Sequence, residues 1–100
     1  MQTYPTKTDK QLIKAFSKLK NDREITGFLR DLLTQAEIEE FSRRFEIAKL
    51  LWTTTQSYAE IADAVSTSTT TVTRVSHWLY KESYQGYATV LDRMYGKSKR

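Results

Sequence analysis

Apolar residues recur along most of this chain at intervals of three and four positions, which is the spacing of one face of an α-helix. Four such runs are separated by polar stretches, and each run predicts an amphipathic helix. Their apolar positions are Leu12, Phe16 and Leu19; Ile25, Phe28, Leu29 and Leu32; Ile38, Phe41, Phe45, Ala48 and Trp52; and Tyr84, Tyr87, Ala88, Leu91, Met94 and Tyr95. The last run predicts a helix of about three turns.

The third run is broader than one packing partner requires, because Ile47, Leu50 and Leu51 lie on a face beside its main stripe. Two arrangements would cover both faces, namely the pairing of two chains or a monomeric bundle of six helices. Core stripes and interface stripes have the same spacing, so periodicity alone leaves both arrangements open.

Polar residues that accept the first free backbone N–H groups of a helix mark the predicted helix starts. In a capping box, a Glu or Gln three positions later bonds back to the N-cap residue. The predicted boxes pair Thr8 with Gln11, Asn21 with Glu24, Thr34 with Glu37 and Ser57 with Glu60, and Ser68 offers a further N-cap. The chain has only one proline and three glycines, so few residues oppose helix formation. Together these features predict an all-α fold.

The sequence YAEIADAVSTSTTTVTRVSH predicts a helix-turn-helix over about residues 57–79. Such a unit needs a small residue where its helices touch, a small or flexible residue in the turn, and branched apolar residues that anchor the second helix. Ala62 and Ser66 meet the first two needs, and Val72 with Val75 meets the third. Glycine would accept a left-handed turn conformation more readily than the serine found here.

The second helix of this unit has an outer face of small hydroxyl side chains followed by cationic ones. Small hydroxyl residues allow the start of a helix to enter a DNA major groove and to contact base edges. The candidate DNA-contacting residues are Ser68, Thr69, Thr70, Thr71, Thr73, Arg74, His77 and Lys81. The alternative is that residues 67–73 form a polar connection, since threonine is a mediocre helix former.

The composition removes most catalytic and metal chemistry. The absence of cysteine excludes thiolate sites, and the single histidine, His77, cannot build a multi-histidine metal centre. Four glutamates in residues 37–46 lie early in a predicted helix beside arginines, where ion pairing is their simplest role. We therefore expect no enzyme activity and no bound cofactor or metal.

The chain has 16 basic and 12 acidic residues, and the basic excess lies in residues 1–35 and 66–100. The last basic residues, Lys97, Lys99 and Arg100, are expected to form a solvated end that adds only nonspecific attraction to polyanions. The first ten residues lack the pattern of a secretory signal, and nowhere do 18 apolar residues run together. We expect a cytoplasmic protein with no membrane partner.

Residues 32–79 resemble the Trp repressor superfamily through LLTQAEIEEFSRRFEIAKLL and SYAEIADAVSTSTTTVTRVSHWL. The run STSTTTVTRVSHWLY followed by GYATVLDRMYG is similar to the YerC/YecD branch of that superfamily. The resemblance implies an all-α, intertwined homodimer with six helices per chain, in which the fourth and fifth helices bind DNA.

The resemblance also implies a possible effector pocket, in which two arginines hold the ligand and fall on Arg44 and Arg74, with a pocket threonine at Thr34. Two departures add bulk where an indole would lie. Val75 stands where the family has a glycine, and Trp78 stands where it has a serine. Because a close-packed site has no spare volume, we expect the slot to be narrowed or closed and L-tryptophan not to be the effector.

Each of these pocket residues also has a simpler role. Thr34 would be a plain N-cap, Arg44 a surface partner of Glu40 or Glu37, and Arg74 a phosphate contact. The sequence alone leaves these alternatives open.

We conclude from the sequence that residues 1–100 form a single Trp repressor-like DNA-binding domain. Its expected function is that of a transcriptional regulator, a repressor that acts as a homodimer on a palindromic operator in double-stranded DNA. The competing interpretation is a helix-turn-helix module that contacts protein or RNA. The operator, the regulated genes and the small-molecule effector are not specified by the sequence.

Overall fold

The computed structural model describes residues 3–100, and within these residues the chain forms helices and no strand. Six α-helices follow one another along the chain. They are α1 (Lys7–Phe16), α2 (Asp22–Leu32), α3 (Gln35–Thr53), α4 (Tyr58–Val65), α5 (Thr69–Tyr80) and α6 (Gly86–Tyr95). The predicted all-α fold of six helices is confirmed.

Most helices begin where their capping residues predict. Asn21 caps α2, and its side chain accepts a hydrogen bond from the Glu24 N–H at 3.0 Å. Ser57 and Ser68 cap α4 and α5 in the same way. These local bonds satisfy backbone donors that a helix start otherwise leaves unpaired.

The predicted start of the first helix is wrong. Thr6 is the N-cap of α1, and a reciprocal box joins it to Asp9 through bonds of 2.8 and 3.1 Å. The usual capping-box motif has Glu or Gln three positions after the N-cap, and this motif favours Thr8 with Gln11. The shorter side chain of Asp9 forms the same kind of box with Thr6, two residues earlier. The last helix also differs from its predicted run, because Tyr84 precedes the start of α6.

The chain divides into two compact units, one ending at Ile38 and the other comprising Glu39–Arg100. The predicted single domain over residues 1–100 stays a prediction, and residues 1 and 2 lie outside the described residues.

The first unit contains α1 and α2, and neither helix has a buried residue. The rings of Phe16 and Phe28 meet edge to face with their centroids 5.2 Å apart. Large apolar side chains nevertheless stay open on both helices, with exposed fractions of 41% for Leu12 and 47% for Ile13. Within the described residues of one chain, these helices lack the packed core expected of a stable unit.

The second unit has a contiguous apolar core, in which α4 packs on α5 and α5 packs on α6. Its buried apolar residues are Ile47, Ala48, Leu51, Trp52, Ile61, Ala62, Val72, Val75, Leu79 and Leu91. The predicted anchoring of α5 by Val72 and Val75 is therefore confirmed. This core supports the helix pair α4 and α5 from beneath and leaves the outer face of α5 open.

Candidate functional site

The turn between α4 and α5 is built on Ser66. Its backbone lies in the left-handed region, with φ 58° and ψ 52°. The next N–H group, that of Thr67, donates to the Ala62 carbonyl at 2.8 Å and closes the end of α4. The predicted turn position is confirmed, although a left-handed serine costs roughly 1–2 kcal/mol more than glycine.

The start of α4 is held by a capping box. The Ser57 N–H donates to the Glu60 carboxylate at 2.8 Å, and the Glu60 N–H donates to the Ser57 hydroxyl at 3.1 Å. The hydrogen bond from the Ser57 backbone lowers the pKa of the Glu60 carboxyl below its usual value, and the bond with the Ser57 side chain lowers it further by a smaller amount.

A side-chain contact fixes α4 against α5. The Tyr58 hydroxyl and the buried Ser76 hydroxyl lie 2.5 Å apart. The bond gives the buried serine a partner and ties the first residue of α4 to the middle of α5. The two helices thus form one supported unit.

The first turn of α5 uses two of the candidate residues for its own structure. The Ser68 hydroxyl accepts from the Thr71 N–H at 3.1 Å and lies 3.0 Å from the Thr71 hydroxyl. Thr71 is half-buried. Ser68 and Thr71 therefore shape the start of the helix.

Thr69, Thr70 and Thr73 are exposed on α5. The Thr73 hydroxyl donates to the Thr69 carbonyl at 2.9 Å, so its oxygen lone pairs remain available as acceptors. The Thr70 hydroxyl has no hydrogen-bond partner among the described residues. Because threonines are helical here, the alternative of a polar connection over residues 67–73 is wrong for residues 69–73.

Cationic side chains follow along the same helix and its end. Arg74 and His77 are exposed, and Lys81 is the exposed C-cap residue of α5. The His77 Nε2 atom lies 3.3 Å from a carboxylate oxygen of Glu82, an ion pair only when the imidazole is protonated. All eight candidate DNA-contacting residues thus lie on α5 or at its two caps.

A cleft of about 390 Å³ lies beside α5 and brings the two predicted pocket arginines together. Its lining residues are Glu40, Arg44, Thr71, Arg74, Val75, Trp78 and Tyr87. Val75 is almost completely buried, whereas Trp78 has an exposed fraction of 54%. An open cleft remains beside Val75, so the slot is not closed, and its narrowing by Val75 stays a prediction.

Arg44 is already engaged inside this cleft. Its Nε atom lies 3.4 Å from a carboxylate oxygen of Glu40, and its guanidinium lies 5.4 Å from the Phe41 ring centroid. The ion pair with Glu40, one of the simpler roles predicted for Arg44, is confirmed. Burial raises the pKa of the neighbouring Tyr87 hydroxyl, while the positive charge of Arg44 acts in the opposite direction.

The predicted pocket threonine, Thr34, belongs to the first unit and acts there as a helix cap. Its N–H donates to the Glu37 carboxylate at 2.9 Å, and its hydroxyl accepts from the Glu37 N–H at 3.1 Å. The backbone bond from Thr34 is the main cause of the lowered pKa of Glu37. The N-cap role of Thr34 is confirmed, and its share in an effector pocket stays a prediction.

Sequence reasoning missed two cleft residues, Thr71 as a lining group and Tyr87 on α6. The sequence places Tyr87 only in an apolar stripe, and local spacing does not indicate which helix such a stripe faces. Among the described residues, no cluster of His, Cys, Asp or Glu could hold a metal ion, and no helix has the length and apolarity needed to cross a membrane.

A family model described as Trp repressor protein matches residues 7–95. The chain belongs to the Trp repressor family. A TrpR-like protein from Eubacterium eligens is 35% identical, with a TM-score of 0.77 over 90% of this chain and 91% of that one. A candidate Trp repressor from Staphylococcus aureus is 31% identical, with a TM-score of 0.80 over 93% of this chain and 91% of that one. No curated protein matches the chain.

Membership of the Trp repressor family indicates that the helix pair α4 and α5 is the helix-turn-helix of this fold. The Trp repressor fold carries a helix-turn-helix of the DNA-binding, regulatory type. In this chain the second helix of that unit is α5, whose exposed start is rich in threonine.

Proposed function

We propose that this Trp repressor family member is a sequence-specific regulator that binds a palindromic operator in double-stranded DNA as a homodimer and represses transcription by occlusion. The observation that carries the proposal is the exposed face of α5, where Thr69, Thr70 and Thr73 precede Arg74. Small side chains allow close approach to base edges, and the cation beyond them suits phosphate.

The state of the first unit supports a homodimer. Apolar side chains on α1 and α2 remain open to solvent, and neither helix buries a residue within one chain. A second copy would cover such faces through a symmetric interface. Two α5 helices would then meet successive major grooves, which matches a palindromic site.

The remaining parts of the proposal follow from the family and the composition. A Trp repressor family member without cysteine and with one histidine is proposed to be a regulator and not an enzyme, to need no cofactor and to act in the cytoplasm. The competing function is protein or RNA contact through the same helix pair, which also suits an exposed polar face.

A selection from random DNA duplexes with the purified protein tests the function directly. We expect enrichment of one palindrome and a steep loss of affinity as salt rises, because phosphate contacts release counterions. Binding without sequence preference, or binding to RNA or protein alone, would contradict the proposal.

L-tryptophan is not expected to be an effector. Val75 occupies part of the cleft wall, and Glu40 brings a carboxylate that is already paired with Arg44. A tryptophan carboxylate would have to displace that partner and would meet its negative charge. Because the cleft is open, the expected obstruction is mainly electrostatic, and Val75 adds bulk at one wall only.

Thermal unfolding with and without millimolar L-tryptophan measures this expectation. A ligand at about 100 times its dissociation constant would stabilise the chain by about 2.7 kcal/mol, and we expect no such shift. The variant Glu40→Gln removes the competing charge and serves as the control for the electrostatic part. A clear shift with the unmodified chain, together with tryptophan-dependent DNA binding, would show that corepressor control is retained.

A further inference from the structure

Residues 96–100 are held against α3 by hydrogen bonds, although the basic residues Lys97, Lys99 and Arg100 stay exposed as predicted. The Lys99 N–H donates to the Trp52 carbonyl at 2.8 Å, and the Trp52 indole N–H donates to the Gly96 carbonyl at 2.6 Å. These two bonds run in opposite directions between the same two segments. They bring the residues after α6 back against the C-terminal end of α3.

Gly96 permits this return. Its φ of 81° lies in a region that residues with a Cβ atom rarely adopt. Its N–H still donates to the Asp92 carbonyl at 2.8 Å and closes α6. The chain therefore ends one helix and reverses toward another at a single residue.

Arg100 joins α3 to the start of the helix-turn-helix. Its Nε atom donates to the Leu51 carbonyl at 2.7 Å, and a terminal guanidinium nitrogen donates to the Gln56 carbonyl. Leu51 lies in the last turn of α3, where the cation also complements the helix dipole. Gln56 directly precedes Ser57, the N-cap of α4. One side chain thus spans the whole α3–α4 connection.

Tyr80 connects the other end of the helix-turn-helix to α3 and to residues 96–100. This last residue of α5 donates from its hydroxyl to the Leu51 carbonyl at 3.4 Å and lies 2.9 Å from the Ser98 hydroxyl. Its ring stacks on Trp52 with the centroids 6.2 Å apart and an angle of 11° between the planes. Residues 96–100 therefore contact α3, the approach to α4 and the end of α5.

We propose that residues 96–100 form a strap that fixes the orientation of α4 and α5 on α3, and that Arg100 is its positioning residue. A base-reading helix must be held in a defined direction, because small displacements lose several contacts together. Only the last measurement of the test, DNA affinity, depends on the proposed function. Its structural effect is measurable without DNA.

The experiment compares Arg100→Ala with Lys97→Ala in the full chain. Both variants remove one positive charge from the same segment, but the exposed Lys97 side chain makes none of the strap bonds. Amide hydrogen exchange at Lys99 and Ile61 reports the strap and the first turn of α4, where the Ile61 N–H donates to the Ser57 carbonyl. Affinity for the selected duplex reports the functional consequence.

We expect Arg100→Ala to speed exchange at both amides at least tenfold and to weaken specific DNA binding about tenfold, while Lys97→Ala leaves exchange unchanged. Arg100→Lys should recover part of both losses, since a lysine can hold one carbonyl but lacks the guanidinium fork. Trp52 indole exchange gives an independent check, with exposed Trp78 as its internal reference.

Equal losses of DNA affinity in Arg100→Ala and Lys97→Ala, with exchange unchanged, would overturn the strap and leave a purely electrostatic segment. Faster exchange with unchanged DNA affinity would overturn the positioning role. If the unmodified chain bound no duplex while exchange still separated the two variants, the strap would stand and the proposed DNA function would fail.

Discussion

Replacing Leu12 with Glu should raise the dissociation constant of the proposed dimer roughly 150- to 20,000-fold. Leu12 keeps an exposed fraction of 41% on α1, although it belongs to the main apolar stripe of that helix. Covering the exposed part of Leu12 supplies only a share of the about 1.5–3 kcal/mol that a fully buried leucine contributes, and burying an unpaired glutamate carboxylate supplies the rest of a loss of that size. A symmetric interface contains the position twice, so the two copies together lose about 3–6 kcal/mol.

Sedimentation over a range of protein concentrations measures this change, and the thermal midpoint of the unmodified chain should rise with concentration. Gln11→Glu is the matched control, because it makes the same charge change at an exposed neighbouring position of α1. A folded monomer of the unmodified chain at low micromolar concentration would refute the dimer. So would equal dissociation of the two variants.

Local chemistry explains how much of the fold could be predicted. The starts of α4 and α5 depend on Ser57 and Ser68, whose bonds reach only three residues along the chain. The turn at Ser66 depends on one backbone conformation and the apolar anchors that flank it. Interactions between residues only a few positions apart can be recognised from the sequence itself. The helix-turn-helix was therefore predictable in type and in position.

Contacts between distant residues explain what was missed. The basic segment ending at Arg100 was predicted to be solvated because its charge is visible in the sequence, while its bond to Leu51, 49 residues away, is not. Tyr87 in the cleft is a similar case, since its stripe does not identify its neighbours. For Arg44, the same charge suits a ligand or an ion pair. The structure shows the ion pair with Glu40, and the ligand role stays a prediction.

The effects of substitutions on α5 should separate base readout from phosphate attraction. Thr70→Ala or Thr73→Ala should cost about 1–3 kcal/mol against the best duplex and relax base preference at nearby positions. Lys81→Ala should weaken all sequences to a similar degree and reduce the salt dependence of binding. Alanine is a better helix former than threonine, so loss of the helix would not explain these losses.

Two further substitutions at Thr70 identify the contact that is lost. Thr70→Ser keeps the hydroxyl and removes the methyl group, whereas Thr70→Val keeps the methyl group and replaces the hydroxyl with a second methyl. A base read by hydrogen bonding should tolerate serine and reject valine, and a thymine methyl contact should reverse that order. Thr70 is the sharper probe because Thr73 also bonds the Thr69 carbonyl within α5. If Thr70→Ala, Thr73→Ala and Lys81→Ala all gave equal losses on every duplex, α5 would contact only the DNA backbone and would not read the base sequence.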